Sequence, residues 1–248
     1  MGERERFEEV LCRMIAAEAS DLHAAPEQRV QMRLDGVLRA EDFVPCAAFL
    51  ERLLETMLSA EQRAALGVRD VDFSWRYAGR RFRGNAYRMQ DGCALSLRLL
   101  PARIPTPEEI GMPASLRALT EVRDGLALIC GATGVGKTTT LAALIESINR
   151  TRCVHIITLE DPIEYVFSPA CAFLSQREEG RDFATFPDAV RSALREDPDI
   201  LLVGEIRDRE TMEAALMAAT TGVLVLGTLH TRSAAETPLR VESMFPPA

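Results

Sequence analysis

The sequence predicts an α/β protein built in two parts. Residues 1–100 mix helical periodicity with alternating strand patterns, which indicates an α+β domain. Residues 114–248 follow a strand–loop–helix order, which is typical of a mainly parallel sheet covered by helices. Prolines punctuate residues 101–113, and we predict that this segment is a linker between the two domains.

Two helices, a hairpin and three further strands are predicted in the first part. Apolar residues recur at helical spacing over residues 3–19 and about 44–65. The dipeptide Asp35-Gly36 is favoured in two-residue turns, so a hairpin is expected from residues 29–34 and 37–39. Alternating patterns place the other strands at residues 71–77, 81–89 and 95–99.

Arginines occupy one face of these strands. Because side chains alternate along a strand, Arg81, Arg83 and Asn85 share a face, and Arg98 likewise points away from its leucine neighbours. The face is either solvated or used for binding, and the spacing leaves both interpretations open.

Four strands and three helices are predicted in the second part. The apolar runs predict strands at residues 126–130, 154–159, 200–203 and 223–227. Helices are expected at about residues 137–149, 183–196 and 208–220. Because the carboxyl ends of parallel strands meet at one edge, polar residues just after these strands are candidates for a shared site.

The charge and composition of the chain argue against several classes of protein. The net charge of −8 argues against nucleic acid as the main partner, and we predict no stable nucleic-acid complex. No apolar run approaches membrane-spanning length, and the charged N-terminus lacks the apolar core of a signal peptide. The six cysteines form no C-x-x-C pair and lie mostly in apolar runs, which predicts reduced, buried thiols and a cytoplasmic location.

A phosphate-binding loop pattern, G-x-x-x-x-G-K-[ST], runs from Gly131 to Thr138. Lys137 in this loop is the only lysine among the 29 lysine and arginine residues. Loop glycines let backbone N–H groups face a triphosphate, and the helix that follows adds its positive end. We expect Lys137 to contact the β/γ-phosphates of a nucleoside triphosphate and Thr138 to ligate Mg²⁺. The predicted nucleotide-binding residues are Gly131, Ala132, Thr133, Gly134, Val135, Gly136, Lys137, Thr138 and Thr139.

A carboxylate, Glu205, comes directly after the strand at residues 200–203. In a parallel sheet this position lies at the same edge as the phosphate loop. Glu205 is therefore predicted to orient Mg²⁺ or to polarise an attacking water.

Further polar residues follow two other strands. Glu160, Asp161 and Glu164 repel one another unless a cation or arginines neutralise them, so they form either part of the site or a polar turn. His230 follows the fourth strand at the same edge, which favours a phosphate-sensing role over that of an ordinary surface histidine.

Several stretches spread over nearly the whole chain have the character of family motifs. They are Ala19–His23, Asp72–Trp75, Arg81–Tyr87, Glu108–Met112, Gly131–Thr140, Glu160–Glu164, Ser192–Asp199, Gly204–Asp208 and Gly227–Thr231. Together they resemble the type II/IV secretion ATPase superfamily, most closely its twitching-motility branch of pilus-retraction ATPases. The stretches at residues 160–164 and 227–231 correspond to that family's Asp box and His box.

The resemblance implies a PAS-like N-terminal domain followed by a RecA-like ATPase domain. It also implies a homohexamer in the cytoplasm, peripheral to the inner membrane and bound to a platform protein of a type IV pilus machine, in which ATP hydrolysis powers retraction. By the same resemblance, Glu205 is the Walker B glutamate, and Glu160 and Glu164 support Mg²⁺ and water. Arg83 and Arg98 match arginines that reach the nucleotide when the domains close.

The sequence departs from the family pattern at three points. Val223 stands where the family has a histidine, and Asp124 stands where it usually has an arginine. The chain stops where relatives continue, so we expect a fragment that lacks the C-terminal part of the ATPase domain. Arg195 and Arg207 also fall in family motifs, and either could pair with the acidic residues.

Other functions stay open on the sequence alone. Val223, Asp124 and the early end of the chain would suit a catalytically weak regulatory paralogue. A pilus-extension or type II secretion ATPase is the nearest rival within the superfamily, but the short N-terminus and the stretch Arg81–Tyr87 favour retraction. A DNA-binding RecA-like ATPase fits the fold class, but not the net charge or the Asp box.

Overall fold

The computed structural model describes residues 2–245, and the chain divides into two compact units, Met1–Ala102 and Arg103–Ala248. The first unit is built on a six-stranded antiparallel sheet with strand order β3-β2-β1-β6-β5-β4. Its elements are α1 (Glu3–Ala16), β1 (Asp21–Ala24), β2 (Gln31–Leu34), β3 (Val37–Ala40), α2 (Ala47–Met57), α3 (Ala60–Leu66), β4 (Val71–Tyr77), β5 (Arg80–Met89) and β6 (Gly92–Leu99).

One face of this sheet packs against the helices, and the other carries the polar side chains. The apolar stripe of α1 and the buried residues of α2 form a single core with the sheet, including Phe82 and Leu95. Phe73 packs so closely over Gly84 that a Cβ at Gly84 would overlap the ring. The predicted hairpin is present, with Asp35 and Gly36 at φ values of 49° and 81°, the left-handed region that such turns require.

The helix predicted over residues 44–65 is wrong as a single element, because it is two helices. Ser59 caps the second one: its hydroxyl accepts from the Gln62 backbone N–H (3.2 Å), and the Gln62 side chain accepts from the Ser59 N–H (2.9 Å). This capping box starts α3 after Ser59, so the apolar pattern of residues 44–65 is divided between α2 and α3. The first helix also ends earlier than predicted, at Ala16.

The second unit contains a five-stranded sheet that is parallel throughout, with order β7-β11-β10-β8-β9, which confirms the predicted mainly parallel sheet. Strand β9 is absent from the sequence prediction. The elements are α4 (Ala114–Arg117), β7 (Gly125–Cys130), α5 (Lys137–Thr151), β8 (His155–Glu160), β9 (Phe173–Glu178), α6 (Phe186–Ala193), β10 (Ile200–Val203), α7 (Arg209–Thr220), β11 (Leu224–Leu229) and α8 (Thr237–Met244).

Both faces of the parallel sheet are covered by helices. Along β10, Ile200 and Leu202 pack with α5, and Leu201 and Val203 pack with α6 and α7. Each such fully buried side chain stabilises the fold by about 1.5–3 kcal/mol. The buried strand holds the position of its carboxyl end, where Glu205 follows.

The segment predicted as a linker packs onto the second unit from Arg103 onward. Met112 is buried with α5 residues, and Ile104 and Ile110 pack against the same cluster. The Arg103 guanidinium donates to both oxygens of Glu109, at 2.6 and 2.9 Å. The boundaries 1–100, 101–113 and 114–248 stay predictions.

Two further observations bear on the sequence-based expectations. All six cysteines are free, but only Cys93 is buried, and Cys12, Cys153 and Cys171 are exposed. The expectation of buried thiols is therefore wrong for most of them. Within residues 2–245, none of the helices combines the length and the apolar character that a membrane crossing needs.

Candidate nucleotide-binding site

The loop between β7 and α5 has the backbone conformation of an anion cradle. Gly134 and Gly136 have φ values of 81° and 95°, which glycine adopts without strain. The 15-residue helix α5 starts immediately after Gly136, so its unpaired N–H groups face the loop. Ala132, Thr133, Gly134 and Val135 are exposed along the loop.

Lys137 is hydrogen-bonded through its side chain to the backbone of this loop. Its side chain is 9% exposed, and its ammonium donates to the carbonyl oxygens of Gly131 (2.8 Å) and Ala132 (2.9 Å). A buried ammonium that donates to two neutral carbonyls gains from an anionic hydrogen-bond partner, because charge-assisted hydrogen bonds are the stronger ones. The loop residues therefore fit a polyphosphate.

The threonines after Lys137 differ in their contacts. Thr139 shares a hydrogen bond of 3.1 Å with the Tyr165 hydroxyl, and the Thr140 hydroxyl donates to the Gly136 carbonyl at 2.9 Å. Thr138 is half-buried, and within residues 2–245 its hydroxyl has no hydrogen-bond partner. Of the three hydroxyls, that of Thr138 is thus available to a ligand or metal.

Glu205 lies just beyond β10 and contacts a guanidinium and an imidazole. Its carboxylate accepts from the Arg207 guanidinium at 2.9 Å, and the His230 Nε2 lies 3.3 Å from its other oxygen. The hydrogen bond from Arg207 lowers the pKa of Glu205 despite partial burial, and the charges of Arg207, His230 and Lys137 lower it further. Lys137 and Glu205 therefore share one electrostatic environment.

Close packing of the backbone precedes this carboxylate. A Cβ at Gly204 would lie 3.0 Å from the Leu159 carbonyl oxygen and 3.3 Å from the Glu160 Cα. Glycine at this position lets the end of β10 approach the end of β8, which brings Glu205 and the acidic segment together.

Arg207 connects the two acidic groups. Besides its bond to Glu205, its guanidinium lies 3.8 Å from the Asp161 carboxylate, and the hydrogen bond to Glu205 is the main cause of its raised pKa. Arg195 instead donates to the Arg191 carbonyl and the Ser192 hydroxyl. Of the two motif arginines, Arg207 is the one that pairs with the acidic residues.

Glu160 and Glu164 have different surroundings. Glu160 is 5% exposed, and one of its oxygens accepts from the Thr158 hydroxyl (2.7 Å) and from the Gln176 amide (3.1 Å). Glu164 is half-buried and has no ion-pair partner within residues 2–245. Arg207 therefore pairs with Asp161, and Thr158 and Gln176 donate hydrogen bonds to Glu160.

Arg83 and Arg98 belong to the first unit and not to the one that holds the loop. They are paired in register across β5 and β6, on the face opposite the core. Arg98 donates to Asp21 at 2.8 Å. Burial opposes ionisation of Asp21, but hydrogen bonds from Arg98 and Ser20 still lower its pKa.

The two departures from the family pattern have different structural settings. Val223 is buried with residues of the cluster under α6 and α7, and its carbonyl accepts from the Gly125 N–H at 3.2 Å. Asp124 is exposed just before β7. Val223 thus contributes to the core and cannot replace a polar imidazole.

The sequence analysis did not identify two residues near the site, Gln176 and Tyr165. Gln176 lies on β9, whose residues Phe173–Glu178 change from apolar to polar without alternation. The available signal was the length of the connection from residue 161 to 185, which is long enough to hide an edge strand.

A parallel sheet with this loop after β7 and a carboxylate after β10, one strand further along the sheet than its neighbour β11, defines a P-loop ATPase of the RecA-like class. The family model described as "Type II/IV secretion system protein" matches residues 4–247, and the chain belongs to this family.

Similar proteins agree with this assignment. The type IV pilus retractation ATPase PilT of Pseudomonas aeruginosa is 44% identical over 231 residues, which cover 92% of this chain and 67% of PilT. The uncharacterized protein YggR of Escherichia coli K12 is 42% identical over 242 residues, covering 97% of this chain and 74% of YggR. The crystal structure of the pilus retraction motor PilT with bound ADP is similar with a TM-score of 0.91 and 42% identity, over 96% of this chain and 71% of that one.

Proposed function

We propose that this chain is an ATP-hydrolysing motor subunit that powers retraction of a type IV pilus. The observation that carries the proposal is the placement of Lys137 after β7 and of Glu205 after β10, at the carboxyl ends of strands in one parallel sheet. The 44% identity to a pilus retractation ATPase supports the direction of the motor. Type II secretion system protein E of Pseudomonas aeruginosa is less similar, at 38% over 239 residues, so the secretion or extension alternative is not favoured.

The roles of the site residues follow from their positions. The loop amides and Lys137 bind the phosphates of ATP. Thr138 and Glu205 would hold Mg²⁺, which neutralises phosphate charge when bound. Glu205 polarises the attacking water, and its lowered pKa keeps it ionised at neutral pH.

The surrounding residues support this carboxylate. His230 is 3.3 Å from Glu205 and can report on charge at the γ-phosphate through that contact. Glu160 and Glu164 orient water and metal from the end of β8. Arg83 and Arg98 compensate phosphate charge when the two units close around the nucleotide.

The larger assembly is part of the same proposal. The chain acts in a homohexamer in the cytoplasm, attached peripherally to the inner membrane through a pilus platform protein. The similarity to the pilus retraction motor supports the self-association in this proposal.

The test is steady-state phosphate release by the wild type and a Glu205→Gln variant. Loss of the water-polarising group should lower kcat by about 10²–10⁴-fold, while titration with a fluorescent ATP analogue shows retained binding. Glu210→Gln, an exposed glutamate in the first turn of α7, is the control and should keep wild-type turnover. Equal, negligible turnover of the wild type and Glu205→Gln, with ATP still bound, would contradict the motor and favour the regulatory paralogue.

A further inference from the structure

Gln176 on β9 uses both ends of its side-chain amide. Its Nε2 donates to the Glu160 carboxylate at 3.1 Å and to the Tyr165 carbonyl at 2.9 Å. Its Oε1 accepts from the Phe167 backbone N–H at 2.9 Å. A single amide thus connects a carboxylate of the site with two points on the segment that follows it.

The strand register explains why these groups meet. Gln176 pairs with Thr158 across β8 and β9, and Glu160 pairs with Glu178. Side chains two residues apart share a face of a strand, so all four lie together. The Thr158 hydroxyl and the Gln176 amide donate to the same oxygen of Glu160. Two donors on one oxygen fix the rotation of the carboxylate about its last bond.

The same contacts hold the segment of residues 163–167. At its start the Ile163 N–H donates to the Glu178 carboxylate at 3.0 Å, and at its end Phe167 is bound by Gln176. Between these points, the buried Tyr165 bonds the Thr139 hydroxyl in the first turn of α5. The segment that carries Glu164 is therefore hydrogen-bonded both to the edge strand β9 and to α5, the helix that follows the phosphate loop.

We propose that Gln176 is a positioning residue for ATP hydrolysis. It orients the Glu160 carboxylate and, through Tyr165, sets the place of Glu164 relative to the phosphate loop. This inference rests on the proposed ATPase function. The inference gives the edge strand β9 a role in ATP hydrolysis. Within residues 2–245, no residue of β9 is hydrogen-bonded to the loop Gly131–Gly136, so this role is indirect.

The first experiment compares Gln176→Met with Ser175→Ala. Methionine keeps the length of the side chain and removes its hydrogen bonds, so kcat should fall by about 10–100-fold, as for lost supporting contacts in other sites. KM should change less than kcat, because Lys137 and the loop are untouched. Ser175 is the adjacent residue on the other face, 3.4 Å from His155, and its variant should keep wild-type turnover.

A mutant cycle in the Glu160→Gln/Glu164→Gln background separates positioning from simple destabilisation. If Gln176 acts through Glu160 and Glu164, adding Gln176→Met to this background should lower kcat little further. Effects that multiply in the combined variant, or an unchanged kcat in Gln176→Met, would overturn the inference. If Gln176→Met does not fold, Thr158→Val removes the other donor to the same oxygen and should lower kcat in the same way; an unchanged kcat there would also overturn it.

A binding measurement keeps this inference apart from the proposed function. The Mg²⁺ concentration for half-maximal binding of a fluorescent ATP analogue should rise about tenfold in Gln176→Met. If the wild type binds the analogue but releases no phosphate, the proposed motor function is refuted. The Mg²⁺ dependence of binding then tests the positioning role of Gln176 independently of that function. Equal Mg²⁺ dependence of the wild type and Gln176→Met overturns the positioning role.

Discussion

At the scale of single residues, the pKa of the Glu205 carboxylate is lowered mainly by the guanidinium of Arg207 beside it. Arg207 contributes most to the lowered pKa of Glu205, ahead of the opposing effect of burial. A carboxyl with a lowered pKa stabilises the folded state above the pKa it has when unfolded, and this contribution is lost as pH falls through the folded pKa. In its proposed role as a base, Glu205 is expected to stay ionised to lower pH than an ordinary glutamate.

Arg207→Gln should therefore move the acid limb of the kcat–pH profile to higher pH, because the pKa of Glu205 returns toward its usual range. Phosphate release measured across the acidic range checks this. Arg209→Gln is the matched control, since Arg209 pairs with Glu213 on α7 at 2.7 Å and not with Glu205. An acid limb that stays in place in Arg207→Gln would show that another group controls it.

At the scale of elements, the carboxyl ends of β8 and β10 approach each other at Gly204. Gly204→Ala would place a Cβ 3.0 Å from a backbone oxygen, so the ends of the two strands would have to shift by a few tenths of an ångström. We expect a loss of about 1–3 kcal/mol in the free energy of unfolding, together with lower turnover through displacement of Glu205.

Urea denaturation and phosphate release measure the two effects of this substitution. Gly67→Ala makes the same chemical change at a helix end with φ −69°, where the nearest atom is 3.4 Å away, and should be close to neutral. Unchanged unfolding of Gly204→Ala would mean that the close approach of the strands is not required.

The sequence predicted the elements whose patterns are local. Strand β10 is one apolar run, and the glycine loop before α5 has a recognisable spacing. The break between α2 and α3 also had a signal, because Ser59 and Gln62 have capping-box spacing, but the apolar periodicity outweighed it. The contact of Gln176 with Glu160 depends on the register of β8 with β9, which no local pattern encodes.

At the scale of the whole molecule, the proposed mechanism requires an arginine of the first unit to act on a nucleotide held by the second. Arg83→Ala should lower turnover with little change in ATP affinity, because the contact is made only on closure. Arg76→Ala, an exposed arginine on β4, is the control and should behave as wild type. Weaker nucleotide binding with normal turnover in Arg83→Ala would contradict this role.

The sole lysine of the chain makes the phosphate loop chemically unique. Apart from the terminal amine, an acylating reagent finds one primary amine, and it is folded against two carbonyls inside the loop. A lysine-specific protease likewise has a single scissile bond, between Lys137 and Thr138. A phosphate bound in the loop would cover this amine, so acylation of Lys137 is expected to slow when the loop is occupied, and no engineered probe is needed.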